Sequence, residues 1–190
     1  MSYAKRRRFL WVLFLAGLAL AAVVANSTTL ARMGFDELAQ KSSAVARLRC
    51  VGSESHWDGG ELWTETRFAV VERNKGLLGA SITVRMLGGR ADGFTSHVDG
   101  VPAFRTGEEV YLFLWDKPGE AYRVLGWAQG TFQIIRDART GAEKITQESS
   151  SANFDQRTRQ FHGEGIRGMA LPAFQEKLRQ ALGRGVATEH

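Results

Sequence analysis

Two adjacent carboxylates, Glu108 and Glu109, stand directly in front of the apolar run "VYLFLW". Paired acids are the usual equipment of general acid/base hydrolysis, where two carboxyl groups flank one bond. Consecutive strand residues point to opposite faces, so these two cannot converge on a single bond. They read as the polar entrance to a buried strand. The histidines, His56, His97, His162 and His190, share no His-x-x-x-His spacing, and no Cys-x-x-Cys accompanies them, so the zinc signature is missing and no metal is assigned. A cluster of His56, Asp58, Asp92, His97 and Asp99 requires that the loop of the first hairpin meet the long loop that follows the third strand. The "DGFTSHVDG" stretch lacks the regular oxygen-ligand alternation of a calcium loop.

Covalent chemistry has no better support. There is no Gly-x-Ser-x-Gly elbow and no glycine-rich phosphate loop ending in Lys-Ser or Lys-Thr, and "LGGR" at 87–90 is not a dinucleotide fingerprint. Cys50 is the single cysteine. Within "AVARLRCVG" the alternation places it on one face with Ala46 and Leu48, where a small buried apolar residue belongs. No catalytic residue and no cofactor is therefore expected. The aromatics are the strongest remaining signal: Trp57 and Trp63 flank the first hairpin, and Trp115 and Trp127 end later strands. Together with the charged loop residues they define a candidate binding surface of Trp57, Asp58, Trp63, Arg90, Asp92, His97 and Trp115.

The elements that must position these residues follow from periodicity. "MGFDELAQKSS" reads as a two-turn helix with Gly34 as N-cap and Asp36 and Glu37 in its first turn. From Ala44 the period becomes two. Residues 44–54 form a first strand and "ELWTETRFAVVE" a second, with Asp58-Gly59 supplying the turn. "SITVRML" gives a third strand with Ile82, Val84 and Met86 on one face. A glycine-rich excursion follows, and then "EVYLFLW", apolar on both faces as a covered central strand must be. "YRVLGWAQ" and "GTFQIIRD" continue the sheet, with Gly126 and Gly130 where a bend relieves strain. The chain ends in "LPAFQEKLRQAL", whose Leu171, Phe174, Leu178 and Leu182 fall at helical spacing.

Residues 1–25 have another purpose. Lys5, Arg6, Arg7 and Arg8 precede an uninterrupted apolar run at 9–25 that ends in small residues, the layout of a secretory signal or, at that length, a retained signal anchor. The chain carries 25 basic and 20 acidic residues, a net +5. Four of the basic residues and no acidic one lie in this segment, leaving 21 against 20 for the rest. A nearly neutral exported body does not suit phosphate-driven nucleic-acid binding.

The segments "AVARLRCVGSE", "TRFAVVERNKG", "ITVRMLGG", "FRTGEEVYLFL" and "YRVLGWAQGTFQI" resemble the strand order of the netrin-like, tissue-inhibitor-of-metalloproteinases-like OB-fold domains over about residues 44–136. That resemblance implies a fold and a secreted setting. Those inhibitors chelate protease zinc through an N-terminal Cys-x-Cys segment, and a chain with one cysteine inside its first strand cannot do so.

The expected protein is mainly β: a small OB-like, partly open barrel of five to six antiparallel strands, with a short N-terminal flanking helix and a C-terminal amphipathic helix. Its expected divisions are 1–25 signal or anchor, 26–43 lead-in and helix, 44–147 barrel, 148–168 flexible linker, 169–183 helix and 184–190 tail. The expected role is an exported, non-enzymatic binding or interaction module of the cell envelope or extracellular space. Its partner would be another envelope or secreted protein, or a glycan, with membrane contact only through 9–25 if that segment is retained. An inhibitor or accessory partner of an exported protease is the alternative, and a hydrolase built on His56, Asp58 and His97 a further one.

Overall fold

The computed structural model describes residues 32–116, 119–147, 153–155, 160–162 and 165–186. The 9–25 run lies outside them, and among the described residues no helix is long and apolar enough to cross a membrane. Strands β1 (Ala44–Asp58) and β2 (Glu61–Lys75) pair antiparallel along their whole length. Their connection is Gly59 and Gly60, with φ of 60° and 82°. Both positions of such a two-residue turn need positive φ, which glycine adopts without a steric penalty. The turn therefore falls one residue later than Asp58-Gly59, and β1 runs on to Asp58.

Strand β3 (Ser81–Leu87) pairs with β2, and β4 (Gly89–Ala91) with β5 (Phe94–Ser96) forms a separate small hairpin inside the glycine-rich excursion. Next come β6 (Glu109–Trp115), β7 (Arg123–Val124), a 3-10 turn (Trp127–Gly130), β8 (Thr131–Arg136) and β9 (Glu143–Gln147). The 148–168 stretch expected to be a linker contains a two-stranded ladder, β10 (Asn153–Asp155) with β11 (Gln160–His162). Finally β12 (Met169–Ala170) pairs with β9 and leads into helix α2 (Leu171–Val186). Helix α1 (Phe35–Lys41) precedes β1, with Gly34 at its N-cap.

The main sheet is antiparallel, in the order β12-β9-β8-β6-β1-β2-β3 with β7 also on β6, and it does not close into a barrel. It has eight strands where the periodicity gave five or six. The reason lies on one edge of β6. Both β7 and β8 pair along that edge, β7 with Leu114 and Trp115 and β8 with Val110 to Leu112. Residues 126–130, where the sequence suggested a bend between "YRVLGWAQ" and "GTFQIIRD", form the 3-10 turn and its N-cap. The β7 portion reaches toward β3 through a single parallel bridge, Tyr122 to Val84, while the β8 portion turns away to β9. The sheet thus curls toward closure on one side and fans out on the other.

Two cores result, one on each face. The concave face buries Ala46, Leu48, Cys50, Phe68, Ile82, Val84, Met86, Val110, Leu112 and Leu114. The opposite face buries Val45, Tyr111, Phe113, Phe132 and Ile145 beneath Leu38 of α1 and Leu171, Phe174, Leu178 and Ala181 of α2. After Glu109, strand β6 is apolar because it feeds both cores. Phe35, Tyr111, Phe113, Phe132 and Phe174 form one aromatic cluster with centroids 5.0 to 5.7 Å apart. Lys75 adds a polar clasp, its Nζ donating to the Ala39 and Gln40 carbonyls at the C-terminal end of α1.

Candidate functional site

Strands β1 and β2 are each 15 residues long, whereas β3 and β6 have seven. Strand β3 follows β2 to Trp63, while β6 leaves β1 at Arg49, so the tip half of β1 extends past its outer neighbour. On the concave face of this projection apolar residues give way to hydroxyls. Ser53 Oγ lies 2.8 Å from Thr66 Oγ1, and Ser55 Oγ 2.8 Å from Thr64 Oγ1, so each cross-strand pair satisfies itself. The β4–β5 flap folds over this floor. Thr64 Oγ1 donates to the Gly88 carbonyl at 2.7 Å. Gly89, at φ 134°, lies so close that a Cβ would collide with Ser55 Oγ and Thr64 Oγ1.

Between flap and floor is a cleft of about 280 Å³. Its hydroxyl side is Ser53, Thr64 and Thr66; its apolar side is Met86, Val98, Val101, Pro102 and Phe104; Arg90 and His97 stand at its lining. Phe104 packs edge-on against Phe68, which anchors this wall to the concave core. Trp57 stacks edge-to-face on Phe94 of the flap, with centroids 5.8 Å apart. Both rings stay open to solvent, at 44% and 63% exposure.

The seven sequence-derived candidates fall into two groups. Trp57, Arg90, Asp92 and His97 belong to the flap side: Arg90 and His97 line the cleft, and Asp92 sits at the flap's tip with φ 52°. Asp58, Trp63 and Trp115 lie on the opposite face. There Asp58 pairs with Arg85, whose guanidinium covers the Trp63 ring at 4.4 Å. Arg123 stands 5.2 Å from the Trp63 centroid and 5.6 Å from that of Trp115, and so links β2 to β6 across the seam where β3 approaches β7. These indoles fasten the seam, and they do not share a surface with Trp57. Trp127 is in the 3-10 turn, at φ 52°.

The first hairpin does meet the long loop, but through Trp57 on Phe94 and through Ser55 and Thr64 beneath Gly88 and Gly89. His56 is nearest Glu65, at 4.0 Å, and His97 is 3.6 Å from Asp99. Among the described residues no three of His, Cys, Asp and Glu gather as a metal-binding group. Asp58 and His97 stand on opposite faces of the hairpin, so the triad of His56, Asp58 and His97 is not assembled.

The two glutamates are separated as strand parity requires. Glu108 accepts from the Arg105 backbone N–H at 3.0 Å and closes the turn before β6. Glu109 opens β6 on the helix-covered face and accepts from Arg47 Nε at 2.7 Å and Arg49 Nε at 2.9 Å. Glu143 extends this network to Arg136 at 2.8 Å. Burial pushes the Glu109 carboxyl up, yet the hydrogen bonds from Arg49 and Arg47 outweigh it and hold the group below the ordinary carboxylate value. Nearby, Tyr111 Oη donates to Glu72 Oε2 at 3.1 Å and accepts from Gln175 at 3.2 Å. Its pKa is pushed up to about 12, chiefly by burial. Cys50 is 2% exposed within the concave core, and burial likewise pushes its thiol up.

Sequence reading missed the hydroxyl floor, Phe94 and the two arginines over Trp63. Thr64 and Thr66 continue the core-facing register of Phe68, but Ser53 and Ser55 reach that face only through the register shift between Cys50 and Gly52, which simple alternation from Leu48 does not show. Comparison of the chain with known protein families, with curated proteins and with solved structures finds no match.

Proposed function

We propose that this protein is an exported, non-enzymatic binding module that seats part of a partner protein in the cleft between the β1–β2 hairpin and the β4–β5 flap. The cleft itself carries this reading. One wall is apolar, the other offers hydroxyls, and Arg90 at the lining makes no ion pair among the described residues. Such a mix of apolar surface with a few convergent polar groups is how binding sites obtain both affinity and orientation. At about 280 Å³ the space suits one or two side chains of a partner. The exposed Trp57–Phe94 pair beside it provides the rigid aromatic area that anchors protein contacts. The export setting rests on the basic and apolar pattern of 1–25.

The test is retention of envelope and secreted proteins on the immobilised full chain, compared with Ala103→Trp. Ala103 is exposed at the cleft lining, so the new indole fills the space without entering the core. A partner retained by the wild type and lost with Ala103→Trp supports the proposal. Equal retention by both, or turnover of ester, peptide or glycan substrates by the purified chain, overturns it.

A further inference from the structure

The tip half of β1, beyond the end of β6, leaves a strand edge bare. Strand β6 pairs with β1 from Ala44 to Arg49, and the last contacts on that side are Cys50 N–H to the Glu108 carbonyl and Gly107 N–H to the Cys50 carbonyl. The pairing with β6 goes no further, and at the same point the β1–β2 register shifts between Cys50 and Gly52. Residues 52–58 continue with β2 on one side only, and no backbone hydrogen bond among the described residues occupies the other. Exposed edges are ordinarily blunted with proline, lysine or a covering segment. The sequence here, "GSESHWD", has neither residue.

Which groups point outward can be settled from the neighbours. The two-residue turn makes Asp58 and Glu61 a hydrogen-bonded pair, and pairs alternate from there. Independently, the Leu62 carbonyl accepts from Gly88 N–H at 2.7 Å on the β3 side, so Leu62 and its partner Trp57 turn their backbone groups away from each other. The bare edge therefore presents the N–H and C=O of Ser53, Ser55 and Trp57.

We propose that this edge pairs antiparallel with the same edge of a second copy, about a two-fold axis through Ser55. That register satisfies every outward group: the two Ser55 residues exchange both hydrogen bonds, and Ser53 of each copy exchanges both with Trp57 of the other. With three donors on each copy, the ladder holds six hydrogen bonds. The intervening positions place Glu54 of one copy directly opposite His56 of the other, twice, on one face of the joined sheet. The self-complementarity of an isologous interface is thus written into the spacing of these two residues. On the other face Trp57, 44% exposed, covers Ser53 of the second copy. A shift of one residue would leave outward groups unmatched and bring Glu54 onto Ser55. Side-chain pairing and backbone hydrogen bonding therefore select the same register.

Cross-linking of the full chain tests this directly, because Cys50 is buried and no other thiol competes. Non-hydrogen-bonded partners have Cα atoms about 4.5 Å apart, within the range of about 4.4–6.8 Å that a disulfide tolerates. An equimolar mixture of Glu54→Cys and His56→Cys chains, oxidised under native conditions, is expected to yield covalent dimer at least fivefold more than either chain alone. Ser55→Pro in both chains removes an outward N–H without touching the β1–β2 ladder, and is expected to cut that yield about tenfold. Should the proline perturb folding, the exposed charges give a second route, read by light scattering on the full chain in detergent. Glu54→Lys weakens self-association, and Glu54→Lys combined with His56→Glu restores it. A mixture that links no better than its components, a yield indifferent to Ser55→Pro, or charge variants that all associate alike would overturn the proposal.

Discussion

Replacing Glu109 with glutamine should cost the fold much more than replacing Glu108 with alanine, although the two are neighbours of the same type. Glu109 is 18% exposed and bridges Arg47, 16% exposed, and Arg49, 56% exposed. Breaking a fully buried ion pair costs about 3–5 kcal/mol, while an exposed pair contributes about 0–1 kcal/mol. The Arg47 arm approaches the first case and the Arg49 arm the second. After Glu109→Gln, Arg47 keeps only Glu143 at 3.4 Å. A loss of about 2 kcal/mol follows, or roughly 4–8 °C in Tm for a domain of this size. Glu108→Ala removes one exposed hydrogen bond and should cost about 0.5 kcal/mol. The effect also has a pH signature. Since the folded Glu109 carboxyl titrates below its unfolded value, its contribution is complete above about pH 4.3 and is lost as the pH falls through the folded value. Urea unfolding at pH 7 and pH 3 reads both. Equal losses for the two variants, or a Glu109→Gln deficit undiminished at pH 3, would refute the role given to this residue.

Phe174→Ala should destabilise by about 3–5 kcal/mol, because the ring is fully buried against Phe35, Tyr111 and Phe132 and its removal leaves a cavity under α2; urea unfolding measures it. Gly89→Val should lift the flap from Ser55 and Thr64 at a cost of about 1–3 kcal/mol, seen as faster proteolysis within 88–104 than in the wild type. Cys50 should resist an aromatic disulfide reagent at pH 8 in the native state and react at once in denaturant, since burial both shields the thiol and pushes it up.

Much of the fold was legible because it is written in short-range periodicity. Ile82, Val84 and Met86 share the concave core as their spacing requires, Cys50 joins Ala46 and Leu48 there, and Leu171, Phe174 and Leu178 dock α2 onto Tyr111 and Phe132. What resisted reading depends on distant pairs. Trp63 and Trp115 are joined only through Arg123, a contact set by how β3 approaches β7 and not by any local pattern. Likewise "YRVLGWAQ" alternates well enough for a strand, yet tertiary demands reduce it to Arg123–Val124 and spend the remainder on the turn that splits the sheet. The candidate site was half visible for the same reason. Its aromatic and charged members stood out by type, whereas the face each occupies depended on where the hairpin turned.

That turn position has a further consequence. Strand β6 leaves β1 near Cys50, whereas β3 follows β2 from Ala69 to Trp63 and holds Val84 and Met86 of the concave core opposite Thr66 and Thr64, so β1 beyond Gly52 is the stretch that outruns its neighbour. Residues 52–58 of β1 bury little apolar surface of their own, with Trp57 44% exposed, so hydrophobic gain does not explain their length. This stretch instead carries the self-satisfied Ser53–Thr66 and Ser55–Thr64 pairs, the floor over which Gly89 can lie flat, and the indole that meets Phe94. Beyond Gly52, β1 has β2 as its one neighbour in the sheet. The flap covers one face, and the edge at Ser53, Ser55 and Trp57 is left with hydrogen-bonding groups for another chain to satisfy.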